Sequence, residues 1–144
     1  MLPSFAAQIA AIEAGRKSPR LEVGDLAAAR DFLDVRDVRA AYLALLTKAP
    51  DLPMRSVYNI CSGKAHTIQS LLIMMRLLSA SEFEIAIDPA RLRGSDVPTA
   101  VGDCERLADT TRWAPKIDIE QTLRTLLDHW REVERLHLRT TFVP

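Results

Sequence analysis

Residues 68–79 constrain this chain more than any other stretch, because eight of their twelve side chains are large and apolar. Wound as a helix, they spread apolar surface over nearly every face, and a helix of that kind is buried on most sides. Either several segments of the chain wrap it or a partner surface does, and the sequence leaves both open. Gln69, Ser70 and Arg76 interrupt the run. It therefore falls short of the roughly 20 apolar residues that a membrane span needs.

The segments around it alternate between helical and strand-like patterns, which is the signature of an α/β chain. Ser4 after Pro3 is placed to cap a first helix with Phe5, Ile9 and Ile12 on its apolar face and Gly15 at its end. Residues 21–23 make a short strand stopping at Gly24. Asp34 caps a second helix whose apolar positions Val35, Val38, Tyr42, Leu45 and Leu46 recur at about 3.6 residues. Residues 57–61 are β-rich, and Thr67 caps the apolar helix. Residues 82–88 alternate polar and apolar, with Phe83, Ile85 and Ile87 on one face. A loop with Arg91, Arg93 and Pro98 leads to a short helix over 105–109, and Trp113 and Pro115 mark a turn. The last helix opens at Asp118 with Gln121 in capping-box position. It carries Ile119, Leu123, Leu126, Leu127, Trp130, Val133 and Leu136 in one stripe and frays after Leu138.

Nineteen basic and nineteen acidic residues cancel, so no net field draws in nucleic acid or an anionic membrane. An anionic ligand must be held by a few placed side chains. Cys61 and Cys104 form no C-x-x-C pair and fit free thiols in a reducing compartment. The N-terminal Met-Leu-Pro-Ser-Phe lacks the basic and apolar regions of a signal peptide, and the chain is expected to be cytoplasmic.

Catalytic and cofactor signals are sparse. Glycines stand at 15, 24, 63, 94 and 102, without the spacing that brings a dinucleotide pyrophosphate to a helix N-terminus. Tyr58 stands where a phosphate loop ending in Ser62-Gly63-Lys64 would need its first glycine. Neither Tyr42 nor Tyr58 has a lysine one helical turn on to lower its pKa. His129 and His137, placed near and beyond the end of the last helix, lack metal-pair spacing, and His66 reads as a loop residue. The expectation is no catalytic residue, no cofactor-binding residue and no metal site.

Several segments, taken in order, carry more information: Ser-Phe-Ala-Ala-Gln-Ile from Ser4, Val-Gly-x-Leu-x-Ala-x-Arg-Asp-Phe from Val23, Tyr-Asn-Ile-Cys-Ser-Gly from Tyr58, Leu-Arg-x-Ser-Asp-Val-Pro from Leu92, and Trp-x-Pro from Trp113. In this order the chain resembles the C-terminal half of extended short-chain dehydrogenase/reductases acting on sugar nucleotides. Within them it is most similar to the GDP-mannose 4,6-dehydratase and GDP-6-deoxy-4-keto-mannose reductase group. The resemblance runs from Pro3 to about Trp130. It implies an α/β fold over residues 1–144: the sugar-nucleotide-binding C-terminal part of such an enzyme, with short mixed strands and about five helices, lacking most of the Rossmann sheet.

What the resemblance implies for function is a cleft that takes a GDP-sugar, GDP-mannose or its 4-keto-6-deoxy derivative. Arg30 and Arg93 would reach the pyrophosphate, where a guanidinium's planar donor fork suits phosphate oxygens. Asp96 would accept from ribose hydroxyls, Gly24 and Leu26 would line the base site, and Ser4 and Gln8 complete the expected substrate contacts. The competing expectation is ordinary surface pairing of Arg30 with Asp31 or Asp34, and of Arg93 with Asp88 or Asp96. Departures from the family's pattern are Ala7 in place of a phosphate-contacting basic residue, Asp25 for Asn, Gly94 for Pro and Arg112 for Gly. The family's NAD(P) loop and catalytic Ser/Thr, Tyr and Lys all precede the segment corresponding to Pro3. The chain is thus expected to be inactive alone, with an N-terminal Rossmann half or a second copy as partner. The rival expectation is a non-catalytic interaction or assembly module derived from the same fold.

Overall fold

A computed structural model describes residues 1–92 and 97–141, with the backbone alone at 138–141. Five α-helices and five short strands alternate along it: α1 Leu2–Glu13, β1 Arg20–Val23, β2 Ala29–Asp31, α2 Val35–Lys48, β3 Ala65–Thr67, α3 Ile68–Leu78, β4 Glu84–Ile87, β5 Thr99–Ala100, α4 Glu105–Thr111 and α5 Ile119–Thr141. β1 pairs with β4 in parallel, Val23 opposite Ile87. A three-stranded sheet has the order β3-β2-β5, with β2 antiparallel to β3 and parallel to β5. The mixed α/β class and the helix number agree with the sequence reading.

The main core lies where α1, α3 and α5 close over β1. Ile9, Leu21, Leu71, Leu72, Met75, Leu123 and Leu127 are essentially fully buried there, each contributing about 1.5–3 kcal/mol relative to exposure. Glu13 at the end of α1 meets Arg131 of α5 through two contacts, at 2.7 and 2.8 Å, and Arg131 also donates to the Leu78 carbonyl of α3 at 3.0 Å. One guanidinium thus ties three helices together. A second cluster joins Ala41 of α2, Leu107 of α4 and Trp113. The Trp113 indole donates to the Asp37 carbonyl at 3.2 Å, and the Asp37 carboxylate accepts from the Lys116 and Ile117 amides.

The predicted caps at Asp34, Thr67 and Asp118 each accept a first-turn amide, and Gly15 takes φ +70° after α1. The cap expected at Ser4 does not form. Helix α1 already begins at Leu2 with Pro3 in its first turn, a position where a missing N–H costs nothing. Residues 57–61 join no ladder, because no strand among the described residues lies alongside to pair with their backbone. The apolar face expected on α2 largely faces outward, with Val35 76%, Tyr42 59% and Leu46 68% exposed. The helix turns Asp37 and Ala41 inward instead, since those are the residues that α4 and the turn after Trp113 can reach.

Helix α3 resolves its sequence ambiguity in both directions. Ile68, Leu71, Leu72 and Met75 are buried by the core, while Ile73 and Leu77 form an open stripe. On β4, Phe83, just before β4, is buried but Ile87 at the end of β4 is exposed, so the expected common face is covered at one end only. Helix α5 runs to Thr141, past the expected fraying point, and contains both His129 and His137. In α5, Leu123 and Leu127 are buried but Leu136 is exposed, the stripe outrunning the core that covers it.

Candidate functional site

The first turn of α1, the end of β1, the loop into β2 and the short 3-10 turn Pro89–Arg91 surround a cleft of about 340 Å³. Ser4, Glu22, Gly24, Asp25, Arg30 and Arg91 line it, with Phe5 and Ile68 among its apolar wall. Gly24 is needed here for a close backbone approach. A Cβ at this position would lie 2.4 Å from the Arg91 carbonyl oxygen, which no side chain tolerates without moving the turn.

Each polar residue is positioned by its element. Arg30 sits in the middle of β2, opposite His66 and Ala100, and donates to the Ala29 and Pro98 carbonyls at 2.7 and 3.4 Å. Arg91 is fixed by Asp88 at 3.0 Å and by Glu22 at 3.3 Å, and Lys17 approaches Glu22 at 3.8 Å. The Asp88 side chain also caps the 3-10 turn at the Ala90 amide. The cleft is therefore lined by one arginine from a strand, Arg30, and one from a turn, Arg91.

The acidic residues next to Arg30 in sequence have other duties. Asp31 accepts from the Ser62 hydroxyl and from the Ser62, Gly63 and Gly102 amides. Burial pushes its carboxyl pKa up, but those donors outweigh burial and hold it below the ordinary value. Asp34 receives both Nε and Nη2 of Arg36 at 2.8 Å and the Thr122 hydroxyl at 2.8 Å. The Arg36 guanidinium, working against burial, holds its pKa far below the usual carboxylate range.

Of the residues expected to contact substrate, the structure brings Ser4, Gly24 and Arg30 together. Gln8 is engaged by β1: its amide donates to the Glu22 carbonyl at 3.1 Å and accepts the Glu22 amide at 3.0 Å. Leu26 packs against the main core rather than lining the cleft, and its carbonyl accepts the Gln69 amide. Arg93 and Asp96 lie outside the described residues. Sequence reasoning missed Glu22 and Arg91 as cleft residues, although the Asp88-x-x-Arg91 spacing is the signal that would have flagged the turn. Among the described residues no group of three or more His, Cys, Asp or Glu could hold a metal. No helix among them is long and apolar enough to cross a membrane.

The comparisons with known proteins concern the family and the fold. The GDP-mannose 4,6 dehydratase family matches residues 2–126. The GDP-6-deoxy-D-mannose reductase of Pseudomonas aeruginosa is 43% identical over 130 residues, 90% of this chain and 42% of that protein. The GDP-6-deoxy-D-talose 4-dehydrogenase of Aggregatibacter actinomycetemcomitans is 27% identical over 92 residues, 64% of this chain and 30% of that protein. Among solved structures, RMD from Pseudomonas aeruginosa complexed with NADPH superposes with a TM-score of 0.83 at 39% identity, covering 92% of this chain and 42% of that one. The chain spans less than half the length of these relatives and corresponds to a C-terminal part of the fold. It belongs to the GDP-mannose 4,6 dehydratase family, within the extended short-chain dehydrogenase/reductases.

Proposed function

We propose that this chain is the nucleotide-sugar-binding part of a GDP-sugar 4-keto reductase or GDP-mannose 4,6-dehydratase. The observation that carries the reading is the cleft that gathers Arg30 and Arg91 around Gly24 and the first turn of α1. Two guanidinium groups beside an apolar wall suit a ligand with a pyrophosphate and an aromatic base. By family resemblance Arg93 and Asp96 would join them from the neighbouring loop.

The residues described do not fit a dinucleotide. Helices α1 to α4 open at Met1, Asp34, Thr67 and Cys104, and none begins on the glycine turn that lets a backbone approach a pyrophosphate. We therefore assign no step of hydride or proton transfer to this chain and read it as inactive alone. NAD(P) and the proton-transfer tyrosine belong to an N-terminal Rossmann half, the proposed partner, in a cytoplasmic enzyme. The open apolar faces support this partner: Val35, Tyr42 and Leu46 on α2, and Ile73 and Leu77 on α3, stand uncovered, and the β-rich 57–61 segment joins no ladder. The same faces favour the second reading, a non-catalytic assembly module.

Titration calorimetry with GDP-mannose separates the two. The first reading predicts saturable heat that disappears in Arg30→Ala, since losing one partner of a desolvated charge pair costs about 2–5 kcal/mol. A folded chain that binds no nucleotide sugar but is captured as a stable dimer supports the second.

A further inference from the structure

Two thiols that the cleft does not use are brought together beside Asp31. Cys61 is buried, Cys104 at the start of α4 is partly exposed, and both are free. The chain segments that carry them are tied together twice. The Asn59 side-chain amide donates to the Asp103 carbonyl at 3.1 Å. The Asp31 carboxylate accepts the Ser62 amide at 2.9 Å and the Gly102 amide at 3.2 Å. Between these ties Cys61 presses on Gly102, where an added Cβ would lie 2.6 Å from both Cβ and Sγ of Cys61. Cys104 packs on the second core cluster together with Tyr58 and Ile60, and its thiol meets that of Cys61.

We infer that Cys61 and Cys104 are a redox-sensitive pair, closing to an intramolecular disulfide when a low-molecular-weight disulfide such as oxidised glutathione is present. A disulfide needs backbones held close and side chains that face each other. The ties on either side of Cys61 supply the first, and the meeting of the two thiols supplies the second. Cys104, the more exposed, reacts first: its thiolate attacks one sulfur of the oxidant, forming a mixed disulfide and releasing one glutathione thiol. The Cys61 thiolate then attacks the Cys104 sulfur and displaces the second glutathione. Two protein thiols lose two protons and two electrons, and one small disulfide becomes two thiols. Burial, with Cys104 and Asp31 close by, keeps Cys61 protonated, so the second displacement is the slow one. The bridge clamps the 57–61 segment, which joins no ladder, to the start of α4. Its two ends stand 43 positions apart in sequence, and cross-linking a loop of that length restricts the unfolded chain.

The test is incubation of the full folded chain with oxidised glutathione, followed by intact-mass and peptide-mass measurement without reductant. The expected product has lost two hydrogen atoms, retains no glutathione, and yields one peptide pair joining Cys61 to Cys104 that separates on reduction. Its melting temperature should rise by several degrees and return to the starting value with dithiothreitol. Cys61→Ser should instead stop at the mixed disulfide, keeping one glutathione on Cys104. A native chain that also keeps glutathione on Cys104 after long incubation overturns the proposal. So does a disulfide found only between two chains. The native-chain masses decide the question even if the serine variant does not fold.

Discussion

Gln8 of α1 and Glu22 of β1 are joined by a reciprocal pair of hydrogen bonds, side-chain amide to backbone, at 3.1 and 3.0 Å. The pair fixes the strand that leads into Gly24 against the helix whose first turn also lines the cleft. The residue that the family resemblance puts on the substrate is therefore engaged in building the site.

Replacing Gln8 with Ala leaves a backbone N–H and a carbonyl of β1 without partners. The expected loss is about 1–3 kcal/mol in urea unfolding, with nucleotide affinity falling because the β1 wall moves. A Gln8→Ala protein of unchanged stability and reduced affinity would instead show that the side chain touches ligand.

Gly24→Ala forces a Cβ to within 2.4 Å of the Arg91 carbonyl oxygen unless the turn yields. Overpacking against backbone of this kind costs about 1–3 kcal/mol. The variant should lose both denaturant midpoint and ligand binding, whereas Gly15→Ala, with open space around its Cβ position but a positive φ, should lose stability alone.

Acid should weaken the fold in a definite window. Asp34 is held below its ordinary 3.8 by the Arg36 guanidinium. Glu13 is held below its ordinary 4.5, burial being outweighed by Arg131 and by the Ala80 amide and Ser79 hydroxyl. A depressed folded pKa adds stability that is complete above the unfolded value and is lost as pH falls through the folded one. Urea midpoints should therefore hold steady at neutral pH and decline below about pH 4.5. Asp34→Asn should be less stable at pH 7 and show a shallower decline; an unchanged slope would contradict the assignment.

Burial, with Cys104 and Asp31 close by, pushes the Cys61 thiol up to about 11. At pH 8 only about one molecule in a thousand carries the reactive thiolate. A disulfide reagent should titrate Cys104 first and Cys61 slowly in the folded chain, and both at once in urea. Two equally fast thiols in the folded state would mean that the packing of Cys61 against Gly102 is wrong.

How much of this was legible in the sequence follows from the range of the interactions. Asp34, Thr67, Asp118 and Gly15 act within one helical turn, and their roles could be read directly. Ser4 misled because Pro3 is compatible with either side of a helix start. The run at 57–61 and the outward face of α2 carry the pattern of buried structure, yet no described segment covers them, so pattern alone gave the wrong pairing at 57–61 and the wrong burial, though the right helix, at α2. The site divides in the same way. Gly24 and Arg30 were found through the family's ordered motifs. Arg91 and Glu22 were not, since these two residues, 69 apart in sequence, meet only because β1 pairs with β4.

The central claim is that a GDP-sugar occupies the cleft around Gly24, and nuclear magnetic resonance on the uniformly nitrogen-labelled chain tests it most directly. Titration with GDP-mannose should shift the backbone amides of Ser4, Gly24, Asp25, Arg30 and Arg91 along one saturable curve, and Arg30→Ala should abolish those shifts. Amides that stay in place at these positions while the chain is folded, or shifts confined to the exposed faces of α2 and α3, would contradict it.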